Sequence, residues 1–459
     1  MSNAHSPGHE QMGSASVLPL VIRMSIPAIL SMLVQALYNI VDSIYVAQIS
    51  EAALTAVSLA YPLQQMITAV SVGTGVGLNS VISRRLGEQR QREADIAAGH
   101  GLVLGLVSGA VFALIGLFGT PAFFSIFTTD SEVLLMGCQY GYVVMTFSFS
   151  LFLQINCEKI LQATGDMKWP MIFQLAGAVT NIILDPILIF GWFGFPAMGV
   201  LGAAIATVTA QILSMVLSLF VVLRKKHAVH ITKACFYPDK KVLADIYKVG
   251  FPAIIMQSLY PLLNMGLNAI LSAMSQSAVA VMGIYNKLQS FVFMPLFRLN
   301  QGLMPITGYN FGAGNHQRLR KTLKVGLVLG ISIMAAGMVI FAAVPGLLLD
   351  LFNVSPAARA IGIPALRIIS SSFMFAAVSI VLSNFLQATG NGVRSMIISM
   401  IRQLLVTLPV AWLLGCLLNM GELGVWLSFP ISEIISAAAA VGITYPVVRS
   451  IFKKKDLQL

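Results

Sequence analysis

The chain has 459 residues, of which 57% are hydrophobic and 10% charged, and its net charge is +11. Soluble domains carry about 25% charged residues, so this composition excludes a globule surrounded by water and calls for a surface facing lipid. Most basic residues lie in short loops between apolar runs, so the positive charge reads as membrane orientation rather than nucleic-acid binding.

The polar lead through about Val17, with His5 and His9, lacks the basic start of a secretory signal. It is read as a tail, 1–18, without assigned function. A spanning helix needs about 20 mainly apolar residues, and twelve runs qualify: 20–47, 53–83, 96–119, 133–156, 168–192, 199–223, 245–272, 277–306, 323–347, 358–385, 393–418 and 424–448. The predicted fold class is therefore an all-α membrane protein. Residues 19–223 form an N-lobe of six helices, 224–244 a linker, 245–448 a C-lobe of six and 449–459 a basic tail. Pro27, Pro62, Pro186, Pro252, Pro261, Pro295, Pro305 and Pro409 fall in or near these runs, where neighbouring helices can satisfy the backbone groups they free.

The loops after even-numbered spans carry Arg84, Arg85, Arg90 and Arg92; Lys159 and Lys168; Arg224, Lys225, Lys226, Lys233, Lys240 and Lys241; Arg318, Arg320, Lys321 and Lys324; and Arg394. Arg449, Lys453, Lys454 and Lys455 follow the last span, and Arg359 is the nearest exception on the other side. Both termini are thereby predicted to be cytoplasmic, in the cell (inner) membrane.

The segment Leu161-Gln-Ala-Thr-Gly-Asp166 returns as Leu386-Gln-Ala-Thr-Gly-Asn391, an offset of 225. That offset also carries Pro27 onto Pro252, Asn39 onto Asn264, Gly77 onto Gly302, Gly87 onto Gly312, Phe127 onto Phe352 and Gly199 onto Gly424. Tyr61 and Tyr285 pair at nearly the same shift. Six helices per half give both halves the same orientation, hence a parallel repeat around a central cleft that rocking lobes can expose alternately. The Leu-Gln-Ala-Thr-Gly segments themselves read as turns, with Gly165 and Gly390 stopping helices at positive φ.

Asp42, Asp185 and Glu433 lie inside apolar runs. A carboxylate at a helix centre costs about 2.5–3.5 kcal/mol on insertion scales and is by default a functional candidate. Asp42 and Asp185 fall at matching depth. Asn181 stands one turn before Asp185, and Asn39 and Tyr38 one turn before Asp42; Thr207 or Thr209 reaches comparable depth. Such oxygens suit a hard cation or a shared proton. The predicted ion-coupling set is Asp42, Asn181, Asp185, Thr207 and Asn39, with Asp42, Asn181 and Asp185 as metal ligands if the ion is Na⁺. At the 225 offset Asp42, Asn181 and Asp185 become Leu267, Val406 and Val410, so the site is predicted in the N-lobe alone. Gln35, Tyr38, Tyr61, Asn264, Tyr285, Arg298 and Glu433 are candidates for the substrate cleft, with Asn286 and Lys287 beside them. A Glu433–Arg pair, with Arg298, Arg367 or Arg402 as partner, is an equal alternative. The 23 methionines give weak support to a broad apolar pocket.

The halves, the stretch Gln35-Ala-Leu-Tyr-Asn-Ile-Val-Asp42, the paired turns, and Asn181 with Asp185-Pro186 resemble the MATE family of multidrug and toxic compound extrusion transporters, the bacterial MepA-like kind most of all, from about Pro19 to Arg449. The resemblance implies Na⁺- or H⁺-driven antiport of organic, often cationic, drugs, with the coupling role on Asp42, Asn181 and Asp185. In NorM-like members C-lobe acids help bind Na⁺; spans seven and eight here have no interior acid. The chain is expected to act as a monomer, with no cofactor beyond the coupling ion. A flippase of lipid-linked precursors with a related two-lobe plan is the alternative. An enzyme is disfavoured, because no His/Cys cluster, nucleophile motif or cofactor loop is visible.

Overall fold

The computed structural model describes residues 7–224 and 227–453. Lys225, Lys226, Lys454, Lys455 and His5 of the basic and polar segments lie outside the described residues. Among those described, the chain is helical without strands. Residues Pro7–Ser14, predicted as tail, form a short helix α1. The N-lobe then runs α2 (Val17–Ala47), α3 (Glu51–Gly87), α4 (Gln91–Phe127), α5 (Ser131–Thr146), α6 (Phe149–Ala163), α7 (Lys168–Phe190) and α8 (Val200–Arg224). The C-lobe runs α9 (Lys240–Ser272), α10 (Gln276–Gly312), α11 (His316–Ala343), α12 (Pro345–Asp350), α13 (Pro356–Ser370), α14 (Phe373–Ala388), α15 (Gly392–Met400), α16 (Thr407–Trp412) and α17 (Glu422–Lys453). The predicted tail at 449–459 therefore begins as helix.

Among the described residues nine helices are long and apolar enough to cross a membrane, and eleven spans result if two bent pairs count as one each. The bent pairs are α5–α6, at 44°, and α13–α14, at 47°. They are the fourth and tenth predicted spans, and their breaks, at 147–148 and 371–372, sit within one residue of the 225 offset. Helix α10 is the remaining predicted span; its 37 residues are long enough, but Lys287 and Arg298 lower its apolar character. Pro27, Pro62, Pro186, Pro252, Pro261, Pro295 and Pro305 all lie inside helices. Two π-helical turns, Ile401–Leu405 and Leu413–Leu417, flank α16. Pro409 has no N–H to give the carbonyl one turn back, so the backbone there widens instead.

Both Leu-Gln-Ala-Thr-Gly segments end a helix with glycine in the left-handed region, φ 86° at Gly165 and 84° at Gly390. Lys159, predicted in the loop after the fourth span, is instead buried in α6 beside Glu158. The bend carries α6 past the point where the apolar run stops.

The lobes meet at the end that carries both described termini and most of the basic clusters, called here the basic end. The contacts obey the repeat. A Cβ on Gly87 would overlap the Tyr309 carbonyl, and one on Gly312 would overlap the Arg84 carbonyl; the offset exchanges these two contacts. Likewise Gly77 packs on Gly250 and Gly302 on Ser25. Ser80 Oγ donates to the Gln387 carbonyl at 2.6 Å across the same seam. Packing between α3 and α9 extends to Gly73 against Ile254. Farther from the basic end these helices expose Tyr61, Met66, Tyr260 and Leu262.

Candidate functional site

The N-lobe pocket is built from single helical turns. On α2, Tyr38 and Asp42 are one turn apart; on α7, Asn181 and Asp185 are one turn apart, on the face turned inward. Asp185, Asn181 and Thr207 of α8 are 0%, 1% and 4% exposed, while Asp42 is half-buried. The Asp42 and Asp185 carboxyls stand against each other at hydrogen-bonding range. The Asn181 amide lies between Asp185 and Thr207. With its amide turned to satisfy both ends, its nitrogen donates to Asp185 Oδ2 at 2.9 Å and its oxygen accepts from the Thr207 N–H at 3.2 Å. The Tyr38 hydroxyl meets that of Thr207. Asp42 Oδ1 is buried without a partner.

Of the predicted set, Asp42, Asn181, Asp185 and Thr207 come together. Thr209 turns away and bonds the Ile205 carbonyl on its own helix. Asn39 is exposed and makes no side-chain hydrogen bond to the group. Tyr38, predicted for the cleft, belongs to the pocket. Two members were absent from the prediction: the buried Tyr140 on α5 faces both carboxyls, and Gln64 on α3 donates to its hydroxyl at 2.8 Å. Neither carries charge; Tyr140 becomes Ala365 at the offset, and although Gln64 recurs as Gln289, an uncharged glutamine in an apolar run does not by itself mark a site. Among the described residues no Lys or Arg acts on either carboxyl. The donors are all oxygen, which fits a proton or hard cation. Among the described residues no three His, Cys, Asp or Glu cluster as a metal site.

The cleft candidates separate. Gln35 and Tyr61 are exposed. Asn264 accepts from Asn286 at 2.9 Å, and Asn286 accepts from Tyr260 at 3.2 Å. Lys287 lies over the Phe352 ring. Tyr285 is a correction: it is 1% exposed and packs edge-on against Phe429 in the C-lobe core. The strict offset pairs Tyr285 with Ala60 and Tyr61 with Asn286, so the tyrosine match was off by one residue, enough to put the rings on different helix faces. Glu433 is held by Arg402, with both carboxylate oxygens within 2.9 Å of its Nε, which is the ion-pair alternative rather than an open cleft group. Arg367 donates to the Ala342 carbonyl. Arg298 donates to Gln301 and faces Glu158 of the N-lobe. The three arginines form no single cationic cleft. Glu158 is buried and takes hydrogen bonds from Gln154 at 3.1 Å and Gln174 at 2.8 Å, while Lys159 donates to Gln162 at 2.9 Å.

The MatE family model matches residues 27–187 and again 252–413, two copies that start one 225-residue offset apart. This chain belongs to the MATE family. As a MATE protein it is a multi-pass membrane transporter rather than an enzyme. It is 28% identical to a multidrug export protein MepA of Staphylococcus saprophyticus over 94% of both chains. It is 26% identical to an FAD transporter of Shewanella oneidensis over 93% of this chain and 94% of that one. An outward-facing multidrug-resistance MATE transporter matches with a TM-score of 0.91 at 25% identity, covering 98% of this chain and 99% of that one. A MOP-superfamily transporter of Pyrococcus furiosus, with a binding pocket described as of reverse polarity, matches at 0.90 and 25%, over 98% and 99%.

Proposed function

We propose that this MATE protein exports small organic, drug-like cations by antiport against H⁺ or Na⁺, through alternating access of its two lobes. The observation that carries the reading is the buried pair Asp42–Asp185 with no basic partner. Two like charges without a counterion are unfavourable in a low-dielectric interior, so the pocket takes up a cation. Asn181, Thr207 and Tyr38 orient the carboxyls and complete the oxygen shell. Positive-inside asymmetry supports a cytoplasmic basic end, closed in this state, so the ion enters from outside. Neutralising the pair changes what α2 and α7 can pack against, and the lobe releases substrate outward. The ion must bind the two states unequally, or it drives nothing. One chain holds both lobes and the whole cleft, consistent with a monomer in the cell (inner) membrane. The multidrug relatives support the substrate class. The flippase reading is weaker, since its arginines do not converge.

The test is dye efflux from proteoliposomes under separate Na⁺ and pH gradients. One gradient drives efflux by the intact chain, and Asp42→Asn abolishes that drive while the protein still folds. Undiminished efflux by Asp42→Asn sinks the assignment.

A further inference from the structure

The short helix α1 has no place in a twelve-span plan, yet it is tied to both lobes at the basic end. Met12 is 0% exposed and buried in the C-lobe core. Its carbonyl accepts from Asn310 Nδ2 at 3.0 Å and from Arg318 Nε at 3.0 Å; the Gln11 carbonyl accepts from Arg318 Nη2 at 3.3 Å. These are carbonyls of the last turn of α1, where the helix end attracts a cation; the Gln11 carbonyl also accepts from the Ala15 N–H at 3.0 Å. The Gln11 side chain accepts from Arg23 of α2, in the N-lobe, at 3.2 Å. Gly13 lies on the Tyr309 ring.

The repeat shows what this contact replaces. The 225 offset carries Arg85 onto Asn310 and Glu93 onto Arg318. At the N-lobe corner Arg85 pairs with Glu88 at 2.8 Å and Glu93 at 3.0 Å, and crosses the lobe boundary to Asp245 of α9. The position matching Asp245 in the first half is Leu20, which has no charge to offer. At the C-lobe corner the same two positions instead grip the end of α1. Carbonyl oxygens stand where the other corner has a carboxylate.

We propose that α1 is a strap that closes one side of the cytoplasmic gate, doing for the C-lobe corner what Asp245 does for the N-lobe corner. The strap holds the start of α2 against α10 and α11 and thereby favours the outward-facing state. The gate opens to the cytoplasm only when Arg318 and Asn310 release the Gln11 and Met12 carbonyls. This inference rests on alternating access, proposed above.

The experiment places Ser80→Cys, at a seam position that is 0% exposed, in a background with Cys138, Cys157, Cys235 and Cys416 replaced. A hydrophilic maleimide is applied from the cytoplasmic side, which reads gate opening without reference to ion coupling. Deletion of residues 1–14, Met12→Asp and Arg318→Gln each raise the labelling rate about tenfold, and Arg85→Ala does the same from the other corner. Labelling that stays at the intact-chain rate in folded Met12→Asp and Arg318→Gln overturns the strap alone. No labelling in any background, Arg85→Ala included, overturns alternating access and the strap with it. A second measurement joins Gly13→Cys to Tyr309→Cys with a short reducible bis-thiosulfonate linker, since Gly13 meets the outer edge of the Tyr309 ring and the two thiols stand too far apart to bond directly. With the bridge formed, labelling and dye efflux stop, and a reductant restores both; continued efflux with the bridge intact overturns the proposal.

Discussion

The two lobes repeat each other in turns, bends and seam glycines, but at one depth they hold opposite electrostatic arrangements. In the N-lobe, Asp42 and Asp185 adjoin with an amide, hydroxyls and no base. In the C-lobe the corresponding positions are Leu267, fully buried, and Val410, and the nearby acid, Glu433, already has Arg402. Thr207 has a true counterpart in Ser432, but Ser432 bonds the Arg402 carbonyl at 2.8 Å and takes a hydrogen bond from Thr407 at 2.7 Å. The C-lobe cluster is closed on itself and needs nothing from outside. The N-lobe cluster has two carboxyls and no base, and under the proposed coupling that makes it the one to respond to an ion. Duplication supplied the frame; divergence of a few side chains left one copy open to the proposed coupling ion and the other closed on itself.

The largest effect expected from breaking this contrast is at Asp185. Asp185→Asn abolishes gradient-driven dye efflux, a fall of at least tenfold, because it removes half the pocket's negative charge and leaves its shape. Next is the seam: Gly312→Val forces a branched side chain onto the Arg84 carbonyl, so the lobes cannot close at the basic end. Labelling of Ser80→Cys rises severalfold while the ion pocket stays intact. Third, Glu433→Gln leaves Arg402 unpaired. Loss of one partner of a buried pair costs about 3–5 kcal/mol, here nearer the low end because both groups keep some solvent access. The variant melts earlier in detergent but still couples efflux to the ion, and Glu433→Leu with Arg402→Met recovers most of the loss. Loss of coupling in Glu433→Gln would place the C-lobe pair in the ion site and erase the contrast.

The smallest effect is in the linker. His227 Nε2 contacts the Val222 carbonyl at 2.6 Å, and Nδ1 accepts from the Val229 N–H at 3.3 Å. Burial holds the imidazole below its ordinary value, opposed by the Val222 contact. A neutral ring makes both bonds and an imidazolium cannot accept the second. The resulting stability is present above the unfolded value of about 6.5 and is lost as pH falls through the lower folded one. Limited proteolysis of the linker speeds up over that acid range, and His227→Gln flattens the dependence.

The spans, the repeat and the acid pair were legible because each leaves a mark along the chain: an apolar run, a fixed offset, a charge where lipid should forbid one. The bend between α5 and α6 left no such mark. It carried Glu158 and Lys159 inside although the apolar run ends at about 156, so Lys159 looked like a loop residue. The partnership of Glu433 and Arg402 joins two helices 31 residues apart in sequence, and only the crossing of α17 over the π-helical turn after α15 brings them together. Tyr140 and Gln64 are ordinary residues in apolar helices until packing aims them at the carboxyls. Helix α1 escaped because an eight-residue helix is not stable alone; it forms where Asn310 and Arg318 donate to carbonyls of its last turn.

At the seam, the main-chain oxygens of Arg84 and Tyr309 press on Gly312 and Gly87 with no side chain between them. A seam of interlocked side chains would have to change rotamers each time it parted and re-engage in register each time it closed. Backbone laid on bare glycine has nothing to unpick. In the proposed alternating-access cycle it acts as a bearing surface rather than a zip, so the effort of each turn would fall on the few polar ties around its rim, where single substitutions would adjust the pace of turnover without touching the ion or the cargo.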